Sequence, residues 1–163
     1  MNSIPRYSVV AYSGTGKTTL LEKLIPELKR RGIRLAIIKH DAHEFDIDHE
    51  GKDSWRFTRA GADITIVASA TKAAIIESRP VSVEALLSRI TDVDIILLEG
   101  FKTGPWPKIG VMRAAAGTEL PLPADECFAV MTDVPIETNT PCLDLNDVRG
   151  LADLIVKDAE RAR

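Results

Sequence analysis

The segment Gly14-Thr15-Gly16-Lys17-Thr18-Thr19 constrains this chain more than any other. It follows a short apolar run, Tyr7-Ser8-Val9-Val10, that reads as a buried strand. It precedes a helix over about Lys17 to Arg31, where Leu20, Leu21, Leu24, Ile25 and Leu28 recur at helical spacing. Gly32 is placed to cap that helix, and Pro26 inside it is expected to kink or divide it. A second apolar run, Leu35-Ala36-Ile37-Ile38, follows. Strand, glycine loop, helix, strand is a βαβ unit, which predicts parallel strands and a right-handed crossover.

The glycine loop has the chemistry of a phosphate cradle. The full pattern is G-x-x-x-x-G-K-[ST]. Here the window is Ala11-Tyr12-Ser13-Gly14-Thr15-Gly16-Lys17-Thr18, with Ala11 in the first glycine's place. Ala11 is tolerable there if its φ is negative. Gly14 and Gly16 let the backbone turn tightly and aim successive N–H groups inward. The helix start adds its positive dipole end. Ser13 through Thr19 are thus the expected nucleotide-binding residues. Lys17 should reach the β- and γ-phosphates, Thr18 should coordinate Mg²⁺, and Thr19 can meet the α-phosphate. The alternative is a turn that merely joins a strand to a helix.

Such a cradle needs an acidic group near the metal at the end of a buried strand. Asp94-Ile95-Ile96-Leu97-Leu98 is apolar after its first residue and suits a central parallel strand. Glu99 follows it directly and Gly100 comes next, so Glu99 should stand at the ligand-binding edge of the sheet, with Asp94 at the opposite edge. Lys17 and Glu99 are the candidate catalytic pair. The bland alternative makes Glu99 a loop residue or helix cap.

Residues His40 to Lys52 are polar and lack an apolar period, which predicts a long loop. It holds His40, Asp41, His43, Asp46, Asp48 and His49. Three readings stand: an acid such as Asp41 near Mg²⁺, an independent imidazole–carboxylate metal site, or a solvated loop. A short helix is expected over Asp53 to Ala60. On it Lys52 and Arg56 would share a face, with Asp53 between them, ready for a phosphate, an acidic partner or solvent. Lys102, Lys108 and Arg113 read as surface charges. Asp133 ends the apolar run Phe128–Met131, where a carboxylate could accept from guanine N1–H and N2–H₂, although N-K-x-D is absent. Strands are also expected at Ile64–Ala68, Ala73–Glu77, Lys108–Arg113 and Cys127–Met131. Helices are expected at Val83–Ile90 and Val148–Arg161, and a loop at Ala114–Asp125.

The 163 residues suit one α/β domain, 1–163, with a mostly parallel sheet flanked by helices on both faces. A small β extension, Ile64–Ala68 with Ala73–Glu77 or the Lys108–Arg113 region, is expected to mediate dimerisation. The formal charge of −3 argues against a nucleic-acid or anionic-membrane partner, so any bound anion must be gripped locally. Cys127 and Cys142 lack the spacing of a zinc or redox pair and read as reduced. No apolar run reaches membrane-spanning length and no signal segment opens the chain, so a cytoplasmic address is expected.

Several segments taken together resemble one family. They are AYSGTGKTTLLEKLIP (11–26), IIKHDAHEFDID (37–48), GKDSWRFTRAGAD (51–63), LLEGFK (97–102) and KIGVMR (108–113). In this order, over nearly the whole chain, they resemble the molybdopterin-guanine dinucleotide biosynthesis adapter family, MobB. That resemblance implies a P-loop NTPase-like fold and a homodimeric GTP-binding protein with weak GTPase activity and bound Mg²⁺. It implies assistance to the molybdopterin guanylyltransferase, and molybdopterin itself is a candidate ligand. Gly14 through Thr19 match the family's nucleotide loop. Asp48, Gly51, Lys52, Asp53, Ser54 and Arg56 match its second motif, and Glu99, Gly100, Phe101 and Lys102 its third. The resemblance thereby favours phosphate or partner contacts for Lys52, Arg56 and Lys102. Two other readings stay open: a P-loop small-molecule kinase, and a metallochaperone GTPase that uses His40, His43 and His49.

Overall fold

The structure is a computed structural model that describes residues 4–40 and 45–161. The chain separates into two compact units, Met1–His40 with Asp92–Arg163, and Asp41–Thr91.

The larger unit is built on a six-stranded sheet. Its strands are β1 (Arg6–Val10), β2 (Leu35–Lys39), β5 (Ile95–Glu99), β6 (Lys108–Met112), β7 (Ala129–Thr132) and β8 (Cys142–Asp144). They lie in the order β2-β5-β1-β6-β7-β8 and every pairing is parallel. Two helices flank the sheet, α1 (Lys17–Arg30) and α4 (Val148–Arg161). Alternate strand residues Tyr7, Val9, Ile95, Leu97, Ile109, Val111, Ala129 and Met131 share one core with Leu20, Leu24 and Leu28 of α1 and Leu151 and Ile155 of α4. Each fully buried leucine or isoleucine there contributes about 1.5–3 kcal/mol. The opposite sheet face is also buried, at Val10, Ile96, Leu98 and Val130. At Gly110 it faces Leu120 and Cys127.

The helix α1 ends as its sequence predicts. Gly32 has φ +77°, its N–H bonds to the Lys29 carbonyl and the Ile33 N–H to the Leu28 carbonyl, which is a Schellman closure. Pro26 does not divide the helix, which runs unbroken from Lys17 to Arg30. Pro26 and Glu22 are both exposed, so the Glu22 carbonyl that loses its helical donor faces water.

Two further expectations change. The 108–113 region is no extension: β6 pairs with β1 on one side and β7 on the other and is buried throughout. The Ala114–Asp125 loop begins with a 3₁₀ turn at Ala114–Ala116 and runs into another at Ala124–Glu126.

The smaller unit holds α2 (Asp53–Arg59), α3 (Val83–Ser88) and the antiparallel hairpin β3 (Ile64–Ala68) with β4 (Ala73–Glu77). Ser82 caps α3 by accepting from the Ala85 N–H at 3.2 Å. Ile66 pairs with Ile75 across the hairpin, and both stand more than 60% exposed.

Candidate nucleotide site

The strand register sets the site. Val9 of β1 pairs with Glu99 of β5, so the loop after β1 and the end of β5 open at one sheet edge. Backbone bonds lock this edge: the Gly100 N–H donates to the Val9 carbonyl at 3.1 Å, and the His40 N–H to the Glu99 carbonyl at 2.9 Å. Asp94 lies at the far end, paired with Arg34 at 3.2 Å.

The glycine loop has a cradle's backbone. Gly14 and Gly16 adopt φ of +77° and +106°, which other residues reach only with strain. Gly16 is the N-cap of α1 and offers no side-chain cap, and the helix's first turn carries no acid. Its N–H groups are therefore left for an incoming anion. Among the described residues Asp92 is the one non-glycine with positive φ, so Ala11 fits its place without strain. Ala11 is also buried against the core.

The side chains converge on the loop. Lys17 Nζ donates to the carbonyls of Ala11 (3.2 Å) and Tyr12 (3.0 Å), which curls its head over the loop. Burial lowers the Lys17 pKa, Glu99 acts to raise it and Lys102 to lower it. The Thr15 hydroxyl donates to the Tyr12 carbonyl at 3.0 Å. Thr18 Oγ1 donates to Glu99 Oε1 at 3.4 Å. A hydroxyl and a carboxylate that meet at a helix N-terminus suit a hard, oxygen-seeking dication such as Mg²⁺.

Beside the cradle lies a cavity of about 160 Å³ lined in part by Thr15, Gly16, Thr19, Asp133, Asp144 and Asn146. Asp133 is thus next to the loop, and its Oδ1 accepts from the Ala114 N–H at 2.8 Å. Sequence reasoning missed Asn146, which accepts from Lys23 Nζ at 2.9 Å. It follows β8, a strand too short to announce itself. Ser13 is exposed on the loop.

Lys102 is exposed, with its Nζ 5.1 Å from the centre of the Tyr12 ring. Lys108 is a correction: it is buried rather than a surface charge. Its ammonium donates to the Trp106 carbonyl at 2.7 Å and to the Gly104 carbonyl, so it staples the turn after β5. Burial lowers its pKa.

The second motif forms the entry to α2. Asp48 Oδ1 accepts from the His49 N–H at 2.9 Å. The Ser54 hydroxyl, with that N–H, holds the Asp48 carboxyl below the usual range. Gly51 makes the turn with φ +87°. Lys52 is not on the helix beside Arg56: it is an extended N-cap whose carbonyl accepts the Arg56 N–H. Arg56 lies 3.7 Å from Asp53, both exposed. Asp41 and His43 lie outside the described residues. Among the described residues, no group of at least three His, Cys, Asp or Glu side chains could hold a metal ion. None of the described helices is long and apolar enough to cross a membrane.

Comparisons with known proteins agree with this geometry. The family model described as "Molybdopterin guanine dinucleotide synthesis protein B", MobB, matches residues 7–133. The chain is 45% identical over 163 residues to the molybdopterin-guanine dinucleotide biosynthesis adapter protein of Escherichia coli (strain K12), covering 94% of this chain and 93% of that one. It is 44% identical over 158 residues to the Haemophilus influenzae adapter protein, covering 94% and 89%. The solved structure of Bacillus subtilis MobB matches with a TM-score of 0.76 and 26% identity over 94% of this chain and 96% of that one. A crystal structure of molybdopterin-guanine biosynthesis protein B matches with a TM-score of 0.73, 26% identity and 95% and 99% coverage. With its strand, glycine loop, helix and Glu99 edge in that common P-loop NTPase-like fold, this chain belongs to the MobB family.

Proposed function

We propose that this chain is a GTP-binding adapter in the synthesis of the guanine dinucleotide form of molybdenum cofactor. The observation that carries the reading is the Gly14–Thr19 cradle with Thr18 Oγ1 3.4 Å from Glu99 Oε1. The names of its close relatives supply the pathway.

The cradle's own residues do the binding. The N–H groups at the start of α1 receive phosphate oxygens, and Lys17 turns from the Ala11 and Tyr12 carbonyls to the β- and γ-phosphates. Thr18 and Glu99 would hold Mg²⁺, and Asp41, two positions after β2 in the sequence, is a further candidate. When bound, Mg²⁺ offsets charge on the β- and γ-phosphates. Thr19 faces the cavity that holds Asp133. Guanine fits there by chemistry, because a carboxylate accepts from its N1–H and N2–H₂ edge. Hydrolysis by Lys17 and Glu99 is slow, as befits an adapter.

The hairpin of the smaller unit supports a homodimer. Ile64, Ile66 and Ile75 are each at least 45% exposed, and an apolar strand face of this kind is ordinarily covered. Lys52, Arg56 and Lys102 offer cations to a phosphate or an acidic partner. The partner is the molybdopterin guanylyltransferase, met in the cytoplasm. Calorimetric titration of that enzyme with this protein tests the role. Association that strengthens with GTP and Mg²⁺ supports it, and no association with or without nucleotide contradicts it.

A further inference from the structure

We propose that Tyr12 and Lys102 form a terminal-phosphate sensor, in which the Lys102 ammonium rests on the Tyr12 ring and leaves it for the last phosphate of a nucleoside triphosphate. The proposal rests on the nucleotide reading above and assigns a role to Tyr12, which the cradle pattern leaves free.

One residue of the loop serves both lysines. The Tyr12 carbonyl accepts Lys17 Nζ at 3.0 Å, and the Tyr12 ring lies 5.1 Å from Lys102 Nζ. The carbonyl also accepts the Thr15 hydroxyl, which ties down the backbone of Tyr12, while the residue as a whole stands 45% exposed. A solvent-facing aromatic at this point packs no core. It does offer a π face to a cation.

Lys102 is equally constrained at its root. The Gly100 N–H is tied to Val9, the Phe101 carbonyl accepts the Ser8 hydroxyl at 2.9 Å, and the Lys102 N–H donates to the Gly100 carbonyl. Among the described residues, its exposed side chain makes only the contact with the Tyr12 ring. Its ammonium is near enough to Lys17 to oppose that lysine's charge, with Glu99 as the counterweight. Two cations beside one carboxylate leave this rim net positive, which favours an incoming anion. A diphosphate fills the N–H groups of the cradle. A third phosphate reaches further and meets Lys102. The ring is a weak seat, and a charge-assisted bond to phosphate outcompetes it.

The test is titration of the protein with GTP and with GDP in Mg²⁺, in wild type and variants. For Lys102→Met the account expects about a tenfold loss of GTP affinity with GDP affinity held, and recovery in Lys102→Arg. For Tyr12→Leu it expects the opposite sign, a gain in GTP affinity of about two- to fivefold, because the competing seat is gone, while Tyr12→Phe behaves as wild type. Equal effects of Lys102→Met on both nucleotides, or none, overturn the sensor. Loss of GTP affinity in Tyr12→Leu overturns the seat. Failure of the wild type to bind either nucleotide is a different result, and it removes the nucleotide reading itself.

Discussion

Thr18 Oγ1, in the first turn of α1, stands 3.4 Å from Glu99 Oε1, at the end of β5, a meeting set by the register of β1 with β5. Neither residue is fixed by its local sequence. The contact exists because Val9 pairs with Glu99, which sets the end of one strand against the start of the helix that follows the other. The pair accordingly reports on the metal. Glu99→Gln keeps the shape and removes the charge. About a tenfold or larger loss of the affinity that Mg²⁺ adds is expected, with little change in chelator. Isothermal titration in each condition reads this directly.

Lys17 contributes charge to the ligand and only modest ties to the fold. Lys17→Ala removes one part-buried bond to the Ala11 carbonyl and one exposed bond to the Tyr12 carbonyl, which keeps the Thr15 hydroxyl as a donor. The variant should unfold within a few degrees of wild type in the absence of nucleotide. Its nucleotide affinity should fall about a hundredfold, the loss of two charge-assisted bonds. A thermal-shift series with and without GTP separates the two effects.

Much of this was legible from local pattern. The run Ile95–Leu98 is apolar without interruption and Tyr7–Val10 is broken only by Ser8, Gly16 and Gly32 bracket α1, and β3 and β4 form over the spans expected of them. Glu99 could be placed because a buried strand must end where its apolar run ends. What escaped depended on distant chain. The strand β8 is three residues long and exists by pairing with β7. Lys108 is buried because the turn after β5 brings back the Gly104 and Trp106 carbonyls, and a lysine without such partners stays exposed. Lys102 meets Tyr12 only once both loops are folded onto one edge.

Tyr7 gives the fold a pH signature. Its hydroxyl donates to Asp158 at 2.7 Å and to the Ile155 carbonyl, tying β1 to α4. Burial, then the bond and the charge of Asp158, raise its pKa above the ordinary 10.0. A raised folded pKa favours the protonated form, so the contribution is fully present below about pH 10 and is lost as pH rises beyond it. Tyr7→Phe should cost about 1.5–3 kcal/mol at neutral pH, and the gap to wild type should narrow in alkali. Urea unfolding at pH 7 and above pH 10 checks the sign.

The hairpin face predicts the assembly state. Ile66 and Ile75 face each other across β3 and β4, at 63% and 65% exposure. An arginine at Ile66 places a charge where a dimer would bury apolar surface. Light scattering after size exclusion should find a dimer for wild type and a monomer for Ile66→Arg, with nucleotide affinity retained.

The most direct measurement is competition of GTP, ATP and GMP against a fluorescent guanine nucleotide, with Mg²⁺ and with chelator. The account predicts a preference for GTP over ATP of about tenfold or more, near 1.4 kcal/mol, that depends on Mg²⁺. Equal displacement by ATP, or tighter binding of ATP, would contradict it and leave a phosphate cradle without its guanine.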